Sequence, residues 1–238
     1  MKKLLNLILD FLIPPVCPIC FERVDVVHTL CPKCFSELKF ITRPCCEICG
    51  YPFEFDLDGE HLCGRCLKEP PLYHKARSLF VYNDASKKLI LPFKHGDRIE
   101  LALLFVKLIR QNYADIIKEN DVVVPVPLHI RRLIKRKYNQ SALIAKPLAQ
   151  KFNKRYLPTT LKRLRATSSQ GHLSAAERKK NVANAFGVVH PEEIKGKNVL
   201  LIDDVMTTGA TVNECTKALL KAGAKQVDII TICRLANI

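Results

Sequence analysis

The sequence predicts an α/β protein, a mostly parallel sheet flanked by helices, preceded by a small cysteine-rich domain. Three observations point there. Strand-like and helix-like segments alternate from about residue 72 onward. Two of the strands, Val122 to Val126 and Lys197 to Ile202, are near-continuous apolar runs, the pattern of parallel strands covered by helices on both faces. Nine of the eleven cysteines lie between Cys17 and Cys66. With 238 residues, 48% of them apolar, the chain has material for one large or two smaller domains and is not a disordered one. Two domains are expected, at residues 1–67 and 72–238, on either side of the linker-like Lys68-Glu69-Pro70-Pro71.

The first segment, MKKLLNLILDFLIPPVC, has the basic start of a secretory signal. Asp10 interrupts its apolar run, however, and no small-x-small cleavage site follows. Leu4, Leu5, Ile8, Phe11 and Leu12 fall on one face at helical spacing, so the expectation is a short amphipathic helix. No window reaches the roughly 20 apolar residues of a membrane span. The protein is expected in the cytoplasm, meeting a membrane only through partners.

Cysteines in close pairs in that compartment favour metal over disulfides. Four pairs occur with two residues between partners: Cys17/Cys20, Cys31/Cys34, Cys46/Cys49 and Cys63/Cys66. Two such thiolates close a turn around one zinc ion and a second pair completes the tetrahedron, so four pairs make two Zn2+ sites. Spacing favours Cys17, Cys20, Cys31 and Cys34 for one ion and Cys46, Cys49, Cys63 and Cys66 for the other; an interleaved arrangement uses the same residues. Gly50 and Gly64 are placed to supply the positive φ of such knuckles. Cys45 is left over.

Beyond the linker, a strand is expected at 76–82, helices at 85–91 and 99–117, a strand at 122–126 and a helix at 141–152. A strand at 197–202, a helix at 211–222 and a last strand at 227–233 follow. Right-handed crossovers make the sheet parallel and put its functional edge at the strand carboxyl ends. At that edge stands VLLIDDVMTTGAT, residues 199–211. A buried strand delivers Asp203 and Asp204, and a loop with Thr207, Thr208 and Gly209 leads into a helix starting near Thr211. Loop N–H groups, hydroxyls and the helix N-terminus form a cup for a dianionic phosphate, with Gly209 permitting close approach. The paired carboxylates are suited to vicinal hydroxyls. A phosphate and a diol together describe a ribose 5-phosphate.

Charge is concentrated elsewhere. Residues 121–190 hold 15 Lys or Arg against two acids, which is 13 of the formal +15. That field is aimed at a polyanion, either the phosphates of a small molecule or nucleic acid. Tyr138, Phe152 and Tyr156 lie among these cations, a mixture used on single strands.

DDVMTTGAT resembles the phosphoribosyl pyrophosphate (PRPP) motif of type I phosphoribosyltransferases. A narrower resemblance, to the ComF family of competence proteins, covers nearly the whole chain. It is carried by VPVPLHIRRLIKRKYNQSALIA (124–145), LPFKHGD (91–97), RLRATSSQGHLSAAERKKNVANAF (163–186) and the paired cysteines. The resemblance implies a double zinc ribbon joined to a type I phosphoribosyltransferase-like domain, with a role in DNA uptake during natural transformation. PRPP, with Mg2+, would then be held by Asp203, Asp204, Thr207, Thr208, Gly209, Ala210 and Thr211. Its pyrophosphate would meet Pro125, Val126, Arg131, Arg132 and Arg136 under a lid carrying Gln170 and Arg178. Lys137 stands where the family usually shows glycine, and Tyr138 where it usually shows phenylalanine. Two functions fit: a PRPP-binding protein that also engages single-stranded DNA or a helicase or other DNA-processing partner, and an active phosphoribosyltransferase. For the latter, an acceptor pocket is expected around Leu79–Gly96.

Overall fold

The computed structural model describes residues 14–55, 59, 61–165 and 174–236. The expected N-terminal amphipathic helix and Gln170 lie outside the described residues. Five parallel strands form the sheet: β1 (Lys75–Val81), β2 (Val122–Pro125), β3 (Arg155–Tyr156), β6 (Asn198–Met206) and β7 (Gln226–Arg234), in the order β1-β7-β6-β2-β3. A separate antiparallel pair, β4 (Leu161–Arg163) with β5 (Phe186–Val188), lies outside it. No helix among the described residues is long and apolar enough to cross a membrane.

The apolar runs are apolar because both faces of the sheet are covered. Val123, Leu200, Ile202, Ile230 and Ile232 enter one core with α3 (Asp84–His95), α4 (Leu101–Glu119) and α6 (Gln140–Lys151). Val122, Val124, Val199, Leu201 and Ile229 enter the other with α8 (Ala210–Lys221). Strand side chains alternate between faces, so only a sheet with two cores has a use for hydrophobes at every position.

The expected strands and long helices are all present, with shifts at their ends. Met206, not Ile202, closes β6. The reason is asymmetric pairing: β2 accompanies β6 only as far as Pro125 opposite Ile202, whereas β7 continues to Arg234 opposite Met206. Beyond Ile202 the strand therefore has one neighbour, and its freed side faces the site. The short elements α5 (Ile130–Arg136), α7 (Ala175–Val182), β3, β4 and β5 had no periodic pattern to announce them. For α7 a signal did exist: Ser174 and Glu177 form a capping box, each side chain bonded to the other's backbone N–H.

The cysteine-rich segment is bonded along β1, an edge strand. Ile41 N–H donates to Leu79 O (2.9 Å), Val81 N–H to Lys39 O (2.9 Å) and Ala76 N–H to Ile48 O (2.7 Å), while Arg77 pairs with Glu47 at 3.0 Å. These bonds satisfy backbone groups that an open edge would offer to another chain. Gly50 is required by this contact. Its φ is +66°, and a Cβ would lie 2.7 Å from Ala76 O. Gly64, by contrast, begins the short helix α2 (Gly64–Lys68), the second of two in this segment after α1 (Pro32–Ser36), and is not among the positive-φ residues, so the sequence expectation there is corrected. The linker-like residues are also tied down, with Glu69 paired to Lys179 and Leu72 N–H donating to Asn213 Oδ1 at 2.7 Å.

Lys137 shows why its position favours glycine: it ends α5 in the left-handed region at φ +66°. A lysine there bears a steric cost a glycine avoids, offset in part by an exposed ion pair with Asp97 at 3.1 Å. Lys137→Gly is therefore expected to stabilise the fold by about 0.5–1 kcal/mol in a denaturant melt.

Candidate functional site

The carboxyl ends of β2 and β6 meet where β2 stops. Asp203 and Asp204 project from the unaccompanied end of β6, both half-buried. Asp204 Oδ1 is 3.1 Å from Lys94 Nζ, delivered by the last turn of α3. Asp203 Oδ1 accepts from Ser141 Oγ at 3.2 Å, in the first turn of α6, and from the Asp204 N–H at 2.9 Å. Burial, and then the Asp204 carboxylate beside it, push the Asp203 carboxyl up to about 7, against the opposing pull of Lys94 and Ser141. Two adjacent carboxylates with one cation between them are under-neutralised, and a ligand hydroxyl pair or divalent cation relieves them.

The loop Thr207–Gly209 follows and α8 opens at Ala210. Gly209 is the N-cap in the left-handed region, φ +76°, and contributes no side-chain cap. Gly209 thus offers no side-chain cap to the start of α8, where Ala210 N–H makes a long bond (3.4 Å) to Thr208 Oγ1. This is the strand–loop–helix arrangement that binds phosphate. A Cβ on Gly209 would lie 3.0 Å from Met206 Cε. Gly209→Ala is expected to cost roughly 1–2 kcal/mol of stability, read in a denaturant melt, and to weaken ribose-phosphate binding in the same protein.

On the opposite lip, Pro125 ends β2, and Val126 N–H is already committed to Ile202 O at 2.9 Å. Since Pro125 and Pro127 have no N–H, Leu128 carries the remaining amide of that tetrapeptide. Asn139 Nδ2 donates to Val126 O (3.0 Å), holding the loop against the start of α6. α5 carries Arg131, exposed, with Arg132 and Arg136 half-buried; Arg136 donates to Gln140 Oε1 at 3.3 Å. Burial, then the charge of Arg136, lower the Arg132 pKa. Arg163 on β4 is lowered in the same way by burial and then by Arg132, and is raised by Asp203, which places it in the field of the carboxylates. Arg178 is half-buried in α7.

The eight paired cysteines assemble as two groups, Cys17, Cys20, Cys31 and Cys34, and Cys46, Cys49, Cys63 and Cys66, each with its Sγ atoms within 4.8 Å of one another. This resolves the grouping that spacing left open. Cys20 and Cys31 Sγ are 3.5 Å apart and Cys49 and Cys63 Sγ 3.6 Å. A tetrahedral zinc site with Zn–S near 2.3 Å has edges of roughly 3.8 Å, so both groups fit that ion. Cys45 is buried outside both groups.

Comparison with known proteins agrees with this architecture. A model of the double zinc ribbon domain matches residues 8–67, and a model of the phosphoribosyl transferase domain matches residues 95–237. The chain is 33% identical over 229 residues to the DNA utilization protein YhgH of Escherichia coli (strain K12), covering 93% of this chain and 98% of that one. It is 32% identical to competence protein F of Haemophilus influenzae, covering 86% and 90%. The chain belongs to the ComF family. Competence protein ComFC of Bacillus subtilis is 28% identical over 86% of this chain and 84% of its own.

Within this ComF chain the structure adds residues that the sequence reading passed over. Lys94 lies in the LPFKHGD segment and Ser141 follows the Asn139-Gln140 pair; neither has a local signal linking it to Asp203 or Asp204. Arg234 is the third. It is 2% exposed, and donates to Cys49 O at 2.8 Å, Cys49 Sγ at 3.3 Å and Met206 Sδ at 3.2 Å. A lone arginine closing a C-terminal strand gives no sign in sequence of joining a metal cluster to the phosphate loop.

Proposed function

We propose that this ComF protein binds PRPP at Asp203–Thr211 and serves DNA uptake by engaging single-stranded DNA through its basic third. The observation that carries the ligand reading is the pairing of two half-buried carboxylates with a phosphate cup one loop away, on one strand–loop–helix unit. The cup takes the 5-phosphate, the carboxylates take the ribose hydroxyls, and Arg131, Arg132 and Arg136 neutralise pyrophosphate. Mg2+ fits the same oxygen donors and would supply charge neutralisation to the pyrophosphate. The names of the relatives, DNA utilization protein and competence protein, support the biological role.

For DNA, phosphate contact is the better-supported mode. Phe152 and Tyr156 pack against the core and Tyr138 OH is bonded to Phe93 O (3.0 Å), so these rings are engaged internally. Arg131, Lys137, Lys146, Lys151, Lys162 and Arg165 are exposed. Binding to an oligonucleotide followed by anisotropy is expected to weaken steeply from low to high salt; a flat series rejects the DNA contact. PRPP binding is read separately by calorimetry.

Catalysis is the second reading, favoured by the cations Arg131, Arg132 and Arg136 on the lip opposite the carboxylates. They would stabilise the pyrophosphate that departs with the C1–O electron pair as an attacking nitrogen bonds to C1 and its N–H proton passes to water. Pyrophosphate release from PRPP, Mg2+ and candidate bases above spontaneous hydrolysis supports this reading; bound PRPP without release leaves the binding role.

A further inference from the structure

Resting on the reading of Asp203–Thr211 as a ribose-phosphate site with Arg136 as a pyrophosphate ligand, we propose that Gln140 is a positioning residue that sets specificity: it makes the site select a pyrophosphorylated ribose over a plain ribose phosphate. Gln140 opens α6, is 1% exposed and lies between the two ends of the site. Its Oε1 accepts from Arg136 Nη1 at 3.3 Å, and its Nε2 donates to Lys94 O at 3.3 Å. Lys94 in turn reaches Asp204 through Nζ, at 3.1 Å. The residue after it, Ser141, donates to Asp203 at 3.2 Å, and the residue before it, Asn139, donates to Val126 O at 3.0 Å. Three consecutive side chains at the start of α6 therefore touch every wall of the site, and Gln140 is the one that touches Arg136.

The chemistry of the two partners fixes which way the carboxamide points. A guanidinium only donates and a backbone carbonyl only accepts, so the oxygen of Gln140 faces Arg136 and its nitrogen faces Lys94. Lys94 O belongs to the last turn of α3, where carbonyls lack helical donors; beside it, Phe93 O is served by Tyr138 OH at 3.0 Å. The end of α3 thereby anchors the amide nitrogen, and the anchored amide holds its oxygen toward Arg136. Arg136 has no ion pair with a carboxylate among the described residues. A neutral acceptor orients the guanidinium fork without cancelling its charge, which a carboxylate in the same place would do. The full positive charge of Arg136 stays available to a second anionic group on the ligand. PRPP carries such a group on C1, and ribose 5-phosphate does not. Because Gln140 hangs from the helix that delivers Lys94 to Asp204, Arg136 is registered against the carboxylates that take the ribose.

The zinc-loaded full chain is titrated calorimetrically with PRPP, ribose 5-phosphate and inorganic pyrophosphate, each with Mg2+. Gln140→Glu gives Arg136 a carboxylate and removes the donor to Lys94 O, and Gln140→Met keeps the volume and loses both bonds. Each is expected to weaken PRPP and pyrophosphate at least about 10-fold while ribose 5-phosphate stays within about threefold. In an Arg136→Ala background, Gln140→Met is expected to weaken PRPP by less than about twofold more, since the fork it directs is gone. Equal weakening of PRPP and ribose 5-phosphate, which a general loss of folded protein produces, overturns the role of Gln140, and so do effects of Gln140→Met and Arg136→Ala that multiply. An unaltered protein that binds PRPP no tighter than ribose 5-phosphate also overturns it, and leaves the ribose-phosphate site standing. Failure of both sugars to bind overturns the reading of Asp203–Thr211, and the response of pyrophosphate alone to the two substitutions then decides whether Gln140 directs Arg136.

Discussion

Replacing Asp203 and Asp204 together with alanine is expected to lower PRPP affinity by at least about 100-fold, since hydrogen bonds to charged groups contribute some 1.5–3 kcal/mol each. Replacing Asp203 alone is expected to leave the melting temperature unchanged or higher. Asp203 is a carboxyl whose folded pKa is raised by burial and by its neighbour. Between the ordinary carboxylate range and about 7 the folded state holds a proton that the unfolded chain has released, so stability declines as pH rises through that window. Asp203→Asn is expected to flatten this slope in denaturant melts taken between pH 4 and 7. Asp204 differs, because its removal strands Lys94, which the Asp204 carboxylate meets at 3.1 Å. Loss of binding with retained stability is the mark of residues kept for a ligand rather than for the fold. Affinity within threefold of the unaltered protein would remove Asp203–Thr211 as the PRPP site.

Loss of the second zinc cluster is expected to damage the phosphoribosyl transferase domain more than loss of the first. Cys17, Cys31 and Cys34 pack in a small cluster with Ile19, Val24 and Leu30, of which only Ile19 and Leu30 reach the core under α3 and α4, from its edge. Cys46, Cys49, Cys63 and Cys66 share a core with Tyr73, Val124, Leu201, Met206 and Val212. Removing a thiolate there also leaves Arg234 as an uncompensated buried charge. Cys49→Ser is therefore expected to cost roughly 3–5 kcal/mol, on the order of 10 °C in a thermal melt, and to weaken PRPP binding through Met206 and Gly209. Cys20→Ser is expected to release one zinc ion per chain with PRPP affinity unchanged. Elemental analysis counts the metal, calorimetry reads the ligand, and equal effects of the two substitutions would sever the link between ribbon and loop.

Much of this molecule is written in short stretches of sequence. Val199 to Thr211 announces a buried strand, a carboxylate pair and a phosphate loop because all of those are properties of one strand–loop–helix unit. The cysteine pairs announce metal because a two-residue spacing suits one ion. Apolar runs at 122–124 and 199–202 announce a sheet with two covered faces. The short elements left no periodic signature because one to two turns of helix or two to three residues of strand repeat their pattern too few times to stand out, and only the Ser174/Glu177 capping box marked α7. Lys137 was visible as a departure from the family's glycine, and its left-handed backbone gives the reason.

What sequence alone determined is therefore the chemistry available: eight paired thiols suited to zinc, two carboxylates, a loop suited to phosphate and a concentrated basic third. What only the tertiary structure decided is which of these meet. Strand order brings Lys94 and Ser141 to the carboxylates, the ribbon's backbone bonds along β1 separate the cysteines into two groups, and Arg234 reaches Cys49 across 185 residues of chain. Spacing along a chain encodes contacts within an element. Contacts between elements depend on which strand lies beside which, and that is fixed by burying both faces of the sheet at once.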